Sequence, residues 1–309
     1  MESAVGESKQ MSSRMAVEGR GIRASIYNSS SRERIRRIVD GIMSGILAVS
    51  AFVGVAALLT ILARVFIQGA PALNPAFFLE RPLPVGEVGG GVAPAIVGTL
   101  VMLGIASVIG LPVGIGSAIY LSEYGRGSFA TAVRFTTDLL SGLPSIVVGV
   151  FVWALLVKHI VGSYSAIAGG VALSIIMIPI VARTTEEILR LVPNSLREAS
   201  LALGVPEWKT ILRVVLPASM GGIITGTVLS LARAGGETAP LLLTALGNQF
   251  FSLDLTAPMA ALPLQIYTYA ASPYEDWHIK AWGGSLVLVA VIAGLSLLAR
   301  LVMRGRRLE

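Results

Sequence analysis

The chain has 309 residues, 54% of them hydrophobic and only 14% charged, where a soluble domain carries about 25% charged residues. That balance, with a mean hydropathy of +0.77, excludes an ordinary soluble enzyme fold, and the absence of cysteine excludes disulfides, Cys-based metal sites and thiol catalysis. The net charge of +6 is not a nucleic-acid signal, because no folded basic domain exists to carry one.

Residues 1–39 are rich in Ser, Arg and Gly and lack apolar periodicity, so they are expected to form a disordered cytoplasmic tail. The cluster from Arg32 to Arg37 reads as a positive flank that fixes topology. The first apolar run is too long for a cleavable signal and lacks a small-residue cleavage site. Six runs follow, at roughly 40–67, 94–121, 135–157, 163–182, 218–247 and 283–303, each long enough to cross a hydrocarbon core that needs about 20 residues. The expected fold is an all-α membrane protein with six transmembrane helices. A permease-sized domain covers 40–308, with its core at 94–303 and a cytoplasmic loop at 183–217.

Orientation follows from Lys and Arg. With the N-terminus inside, nineteen of the 24 lie in cytoplasmic parts, and only Arg64, Arg81, Lys158 and Lys280 lie outside. Both termini are therefore expected in the cytoplasm, in a multi-pass protein of the cytoplasmic (inner) membrane, in contact with lipid. The outside segment 68–93 holds Pro71, Pro75, Pro82, Pro84 and Gly89-Gly90-Gly91, which is loop chemistry. Pro112 in span 2, Leu143-Pro144 in span 3 and Pro179 in span 4 predict kinks or breaks. Freed backbone groups in lipid need protein or a polar cavity to satisfy them, so breaks point to a pathway. Ser141 and Ser145 flank the break in span 3 and are candidate pathway residues. Asp40, Arg134 and Asp138 lie at cytoplasmic span ends and read as interfacial anchors. His159 and His278 lack acidic neighbours at ligand spacing, so no metal site is expected.

The loop 183–217 carries its own helix signals. Ser195 followed by Glu198 fits a capping box. Gly204 suits a left-handed cap after Leu203, and Pro206 opens a second helix that is expected to end before Pro217. Ala199, Leu201, Ala202, Leu203, Val205 and Trp208 offer apolar surface between the two arms. A docking site for a partner accounts for this surface; a helix lying on the membrane would also do so.

Span 5 contains Leu231-Ala232-Arg233-Ala234-Gly235-Gly236-Glu237-Thr238-Ala239-Pro240. A mid-membrane charge costs a few kcal/mol. Arg233 and Glu237, four apart, can share a helix face and pair, and the glycines and Pro240 predict a break beside them. The planar fork of arginine suits an oxyanion. Arg233, Glu237 and Thr238 are thus candidate pathway residues, with a purely structural ion pair as the other reading.

These motifs resemble known families. Glu198-Ala199-Ser200, Gly204, Ile211 and Leu216-Pro217 look like the EAA motif of ABC importer permeases, with Ser200 in place of the usual second Ala. The resemblance implies a type I ABC importer permease fold in which this loop is the coupling helix on the ATPase. Arg233 to Leu242, Leu140 to Ile146 and Ala95 to Leu100 are similar to the permeases of the phosphate-specific ABC importer, the string after Glu237 to the A-type subunit. The resemblance implies a transport subunit with no catalytic residue and no cofactor of its own. ATP would be used by a partner ATPase present in two copies, since the chain lacks a G-x-x-x-x-G-K-[ST] loop. The other implied partners are a second phosphate permease subunit and an extracytoplasmic phosphate-binding protein, with no nucleic acid. Molybdate or sulfate permeases share the Arg…Gly-Glu pattern and stand as an alternative. An ion-coupled secondary carrier is another, but it would show inverted repeats, and no similarity between the halves is evident.

Overall fold

The structure, a computed structural model, describes the backbone of residues 2–305 except Val85 and Val88, and the side chains of Glu33, of Ile35 to Ala299 with the same exceptions, and of Leu301. Among the described residues the regular structure is helical, with one isolated bridge between Leu246 and Met259. Arg306 and Arg307, and the side chains of Arg32 and Arg34, all used above to orient the chain, lie outside the described residues.

The chain divides into two compact units, Met1–Ala63 and Arg64–Glu309. The first is built from helix α1 (Glu2–Gly69). Its backbone is helical from Glu2, where disorder up to residue 39 is the sequence expectation. No proline stands between Glu2 and Gly69, so nothing stops a helix nucleated in the apolar run from propagating back through the polar one. Ile35–Ala72 is long and apolar enough to span a membrane. Its apolar side chains from Ile42 to Phe66 run around the whole helix, the composition of a segment that lies in lipid.

The second unit begins with the end of α1, a 3-10 turn at Ala70–Ala72, and α2 (Pro75–Leu79), capped by Asn74, which accepts from the Phe77 amide at 2.8 Å. Helices α3 (Ala93–Ile119), α6 (Ala166–Arg190) and α12 (Glu275–Gly305) are long spans, and α9 (Leu216–Gly235) completes a fourth that starts at Glu207. Together with the span of the first unit they make five; counting one bent pair as a span makes six. That pair is α4 (Gly127–Gly142) and α5 (Ser145–Val152), the latter extended by a wider π turn to Val161. The two limbs meet at 107°, so the break expected within 135–157 is a sharp elbow. Leu143, forced out of the helical region by the following proline, is extended at φ −72°, ψ 136°. Pro112 and Pro179, by contrast, sit inside helices that continue through them.

Helix α6 is the central post, packed by α3, α4, α5 and α9 and by α10 (Ala239–Thr244). Close approach depends on small residues: a Cβ on Gly110 would meet Met177 at 3.3 Å, and one on Gly170 would meet Ile105 at 2.5 Å. Met102, Leu103, Leu173, Met177 and Leu241 fill the core around it. The end of the bundle at the start of α3 is closed by α11 (Leu262–Ala270). Its first amide, Leu262 N–H, donates at 2.8 Å to Thr99 Oγ1, which in turn donates to Ala95 O at 2.7 Å. Gly98 lets the chain at Ala260 come so close that a Cβ would lie 2.0 Å from its carbonyl oxygen.

Candidate functional site

Span 5 is interrupted where its sequence changes. Helix α9 ends at Gly235, capped by Gly236, whose amide donates to Arg233 O at 3.2 Å. Glu237 lies in the turn that follows and Thr238 is the N-cap of α10. The depth of the break follows from packing along α6. A Cβ on Gly222 would meet Ile188, and one on Gly226 would meet Thr184, so α9 and α6 run antiparallel and Arg233 falls level with Met177, near the middle of α6. Beyond the break, Leu241 and Ala245 flank Gly169, and Thr244 O accepts from Ser165 N–H at 2.9 Å at the N-terminal end of α6. The charged residues therefore lie beside the middle of α6.

The second break is beside the first. A Cβ on Gly149 of α5 would lie 2.8 Å from Pro240 Cα. Ser145 stands one turn earlier on α5 and is half-buried. Ser141 is exposed on α4, the other limb of the elbow.

The Arg233–Glu237 pair differs from the expectation of two residues on one helix face, because the helix ends between them. Nε to Oε1 is 3.8 Å, with 58% of the arginine side chain exposed and 15% of the glutamate. The contact is loose, and the guanidinium has most of its donors free to meet something else.

The loop 183–217 forms α7 (Asn194–Ala202) and α8 (Glu207–Thr210), joined at Gly204 with φ +77°. Gly204 N–H donates to Leu201 O at 2.9 Å and Val205 N–H to Ser200 O at 3.3 Å. These are the two bonds of a Schellman cap, which only a left-handed residue can close without strain. Two expectations fail here. The capping box is not formed: Pro193 is the N-cap, α7 starts at Asn194, and no side chain caps it. Nor does the second arm end before Pro217; α8 runs on through a π turn, Ile211–Val215, into α9. Pro217 stands in the first turn of α9, where the neighbouring π turn accommodates its missing N–H. Glu198, Ala199, Leu201 and Leu203 are turned toward solvent or half so, while Ile211 is buried. Ser200 is buried too, and its hydroxyl bonds that of Thr210 at 2.8 Å across the two arms.

Side chains that the sequence reading left aside hold this side together. Arg134 of α4 reaches Glu186 of α6 at 3.1 Å, and Arg190 reaches the same carboxylate at 2.5 Å. Arg183 pairs with Asp138 and, at 3.4 Å, with Glu187. Arg134 and Asp138, read as interfacial anchors, instead tie the elbow limb to the central post. Arg197 of α7 pairs with Glu123 at the end of span 2 at 2.8 Å. The pairs Arg134–Glu186, Arg183–Asp138 and Arg197–Glu123 join residues 45 to 74 apart in sequence, so no local spacing announces them.

Residues 110–306 match the family model described as the binding-protein-dependent transport system inner membrane component. The phosphate transport system permease protein PstA of Pasteurella multocida (strain Pm70) is 43% identical over 274 residues, 88% of this chain and 97% of the relative. The protein of that name from Haemophilus influenzae (strain ATCC 51907 / DSM 11121 / KW20 / Rd) is 41% identical over 281 residues, 91% of this chain and 99% of the relative. Among solved structures, an inward-facing MetNI methionine ABC transporter superposes with a TM-score of 0.55 at 22% identity, over 70% of this chain and 94% of that one. A bacterial ABC transporter involved in the import of the acidic polysaccharide alginate gives 0.53 at 16%, over 69% and 78%. These structural likenesses carry the fold alone: the all-α membrane architecture of type I ABC importer permeases. The chain belongs to the family of binding-protein-dependent transport system inner membrane components, as a multi-pass permease subunit and not an enzyme, within the group of phosphate transport system permease proteins of the PstA type.

Proposed function

We propose that this chain forms one half of the pathway by which inorganic phosphate crosses the cytoplasmic membrane, driven by ATP hydrolysed on a separate subunit. The observation that carries the reading is the exposure of Arg233 beside the middle of α6. A charge facing hydrocarbon there would cost about 2.5–3.5 kcal/mol or more, so the face it opens onto is covered by something other than lipid. A second permease subunit enclosing a polar pathway meets that requirement, and the fork of Arg233 suits a tetrahedral anion passing through it. Glu237 is its counter-charge when the pathway is empty. Thr238 and Ser145 supply hydroxyls at the two breaks, and interrupted helices are how membrane carriers present backbone groups to an anion.

On the cytoplasmic side, α7 and the elbow at Gly204 form the coupling helix, with Glu198, Ala199, Ser200, Gly204, Ile211, Leu216 and Pro217 shaping the part that meets or transmits to the ATPase. Two ATPase copies below and an extracytoplasmic phosphate-binding protein above complete the assembly, with both termini of this chain in the cytoplasm and residues 40–308 as the permease domain. The test is phosphate uptake by the reconstituted complex carrying Arg233→Gln, beside complex yield. Uptake at the unsubstituted rate would place the anion path elsewhere.

A further inference from the structure

Arg197 lies in the first turns of α7, with 19% of its side chain exposed, against Glu123 with 8%. A guanidinium has five N–H donors in a fixed fork, and here each has an acceptor. Nε donates to Glu123 Oε2 at 3.0 Å, and Nη2 donates to Glu123 Oε1 at 2.8 Å and to Leu189 O at 3.0 Å. Nη1 donates to Val192 O at 2.6 Å and to Asn194 Oδ1 at 3.4 Å. The partners belong to three elements. Glu123 is in the π turn, Tyr120–Tyr124, that ends span 2. Leu189 and Val192 are at the C-terminal end of α6, where unpaired carbonyls and the helix dipole favour a cation. Asn194 is the first residue of α7 itself.

A buried ion pair is weak evidence for stability, since an apolar replacement often does as well. What a bidentate, five-donor arrangement supplies is a fixed relative position. The link from α7 onward to α8 and span 5 is of another kind: a glycine elbow, the Ser200–Thr210 hydroxyl bond and apolar contact of Val215 and Leu216 with Ala118, Leu189 and Val192, none of which fixes a position as a bidentate ion pair does.

We propose that Arg197 is a positioning residue that makes α7 one rigid body with the cytoplasmic ends of spans 2 and 4. Movement of α7 by the ATPase then displaces those two spans directly, while span 5 follows through the elbow at Gly204. The inference rests on the reading of α7 as the ATPase-docking helix.

The chain has no cysteine, so paired spin labels can be introduced directly. In the assembled complex, labels at Tyr124→Cys and Leu196→Cys report on the proposed rigid body, and labels at Tyr124→Cys and Leu212→Cys report across the elbow. Pulsed EPR is read without nucleotide and with ATP and vanadate. The first distance is expected to stay fixed between the two states and the second to shift. With Arg197→Lys, which keeps the charge and loses the fork, the first distance should broaden and become state-dependent. Equal shifts in both pairs of the otherwise unsubstituted complex, or no effect of Arg197→Lys, would overturn the inference. No shift in either pair with the ATPase bound would refute the docking reading, and the inference with it.

The second readout is phosphate imported per ATP hydrolysed. Arg197→Lys and Glu123→Gln should each lower it by about tenfold or more, with complex yield held within about twofold. The double substitution should be no worse than the stronger single one, because both act on one network. A ratio at the unsubstituted value, or losses that multiply as independent effects, would overturn it. Should Arg197→Lys fail to assemble, Glu123→Gln and the label pairs in the unsubstituted background decide the matter.

Discussion

Gly204 offers a clean perturbation because its surroundings are empty. Its φ is +77°, and nothing lies within 4 Å of where a Cβ would be. A substitution therefore meets no steric neighbour, and its effect is the backbone preference alone. Alanine in the left-handed region costs about 1 kcal/mol, a β-branched residue about 2 kcal/mol, and asparagine less than either. The chain can avoid that cost only by opening the cap, which gives up the bonds from Gly204 N–H to Leu201 O and from Val205 N–H to Ser200 O. A preference of about 1–2 kcal/mol moves the bent arrangement against an opened one by roughly five- to thirtyfold. ATPase stimulation and phosphate uptake in the reconstituted complex should fall in the order Gly, Asn, Ala, Val, while the yield of inserted chain stays level. Gly204→Val at the unsubstituted rate would refute the docking geometry. Equal losses for Asn and Val would show that the position is sensitive to bulk at a contact surface and not to φ.

Three further outcomes follow from the geometry. Arg233→Gln should abolish phosphate uptake in membrane vesicles with complex yield maintained; Arg233→Lys should restore it only in part, and Glu237→Gln should be milder on uptake than on stability in detergent. Gly98→Ala should lower thermal stability in detergent by about 1–3 kcal/mol, because its Cβ would press on the Ala260 carbonyl, and Thr99→Val should do so by a similar amount by stranding the buried Leu262 N–H. Ser200→Ala and Thr210→Val should each cost about 1 kcal/mol in the same melt and show a coupling near that size in the double variant, since each removes one end of the same buried bond; strictly additive losses would mean that the hydroxyls do not depend on one another.

The sequence carried the spans, the cap at Gly204 and the break near Arg233 because each has a local cause: an apolar run, a residue that tolerates positive φ, or paired glycines before a proline. It misled where two local signals compete. Ser195 and Glu198 have capping-box spacing, but Pro193 takes the N-cap two residues earlier, so the serine never occupies the cap. Pro217 looks like a stop, yet the π turn before it lets the helix continue. The elbow at Pro144 was legible as a break but not as a 107° turn, because the contacts of α4 on α6, the ion pairs of Arg134 and Asp138 among them, join residues that no spacing links. The same holds for Glu123 and Arg197, 74 residues apart.

Two arginine–glutamate pairs in this chain show how the same chemistry serves opposite ends. At Arg197 and Glu123 the contact is bidentate, both side chains are mostly buried and the remaining donors are spent on carbonyls. Nothing is left over to bind a passing group, so the pair can only hold elements in place. At Arg233 and Glu237 the single contact is 3.8 Å long and more than half of the arginine is open. A pair kept for structure alone would be expected to close, because a loose ion pair in a low-dielectric setting leaves desolvation uncompensated. Here closure is prevented by the chain itself, since α9 ends at Gly235 and carries Glu237 out of the helical register. The break in the helix and the looseness of the pair thus have one cause, the Gly235-Gly236 step, and together they leave a cation beside the break whose fork is largely unspent. That is the condition under which an arginine can exchange its counter-charge for an anion and give it up again.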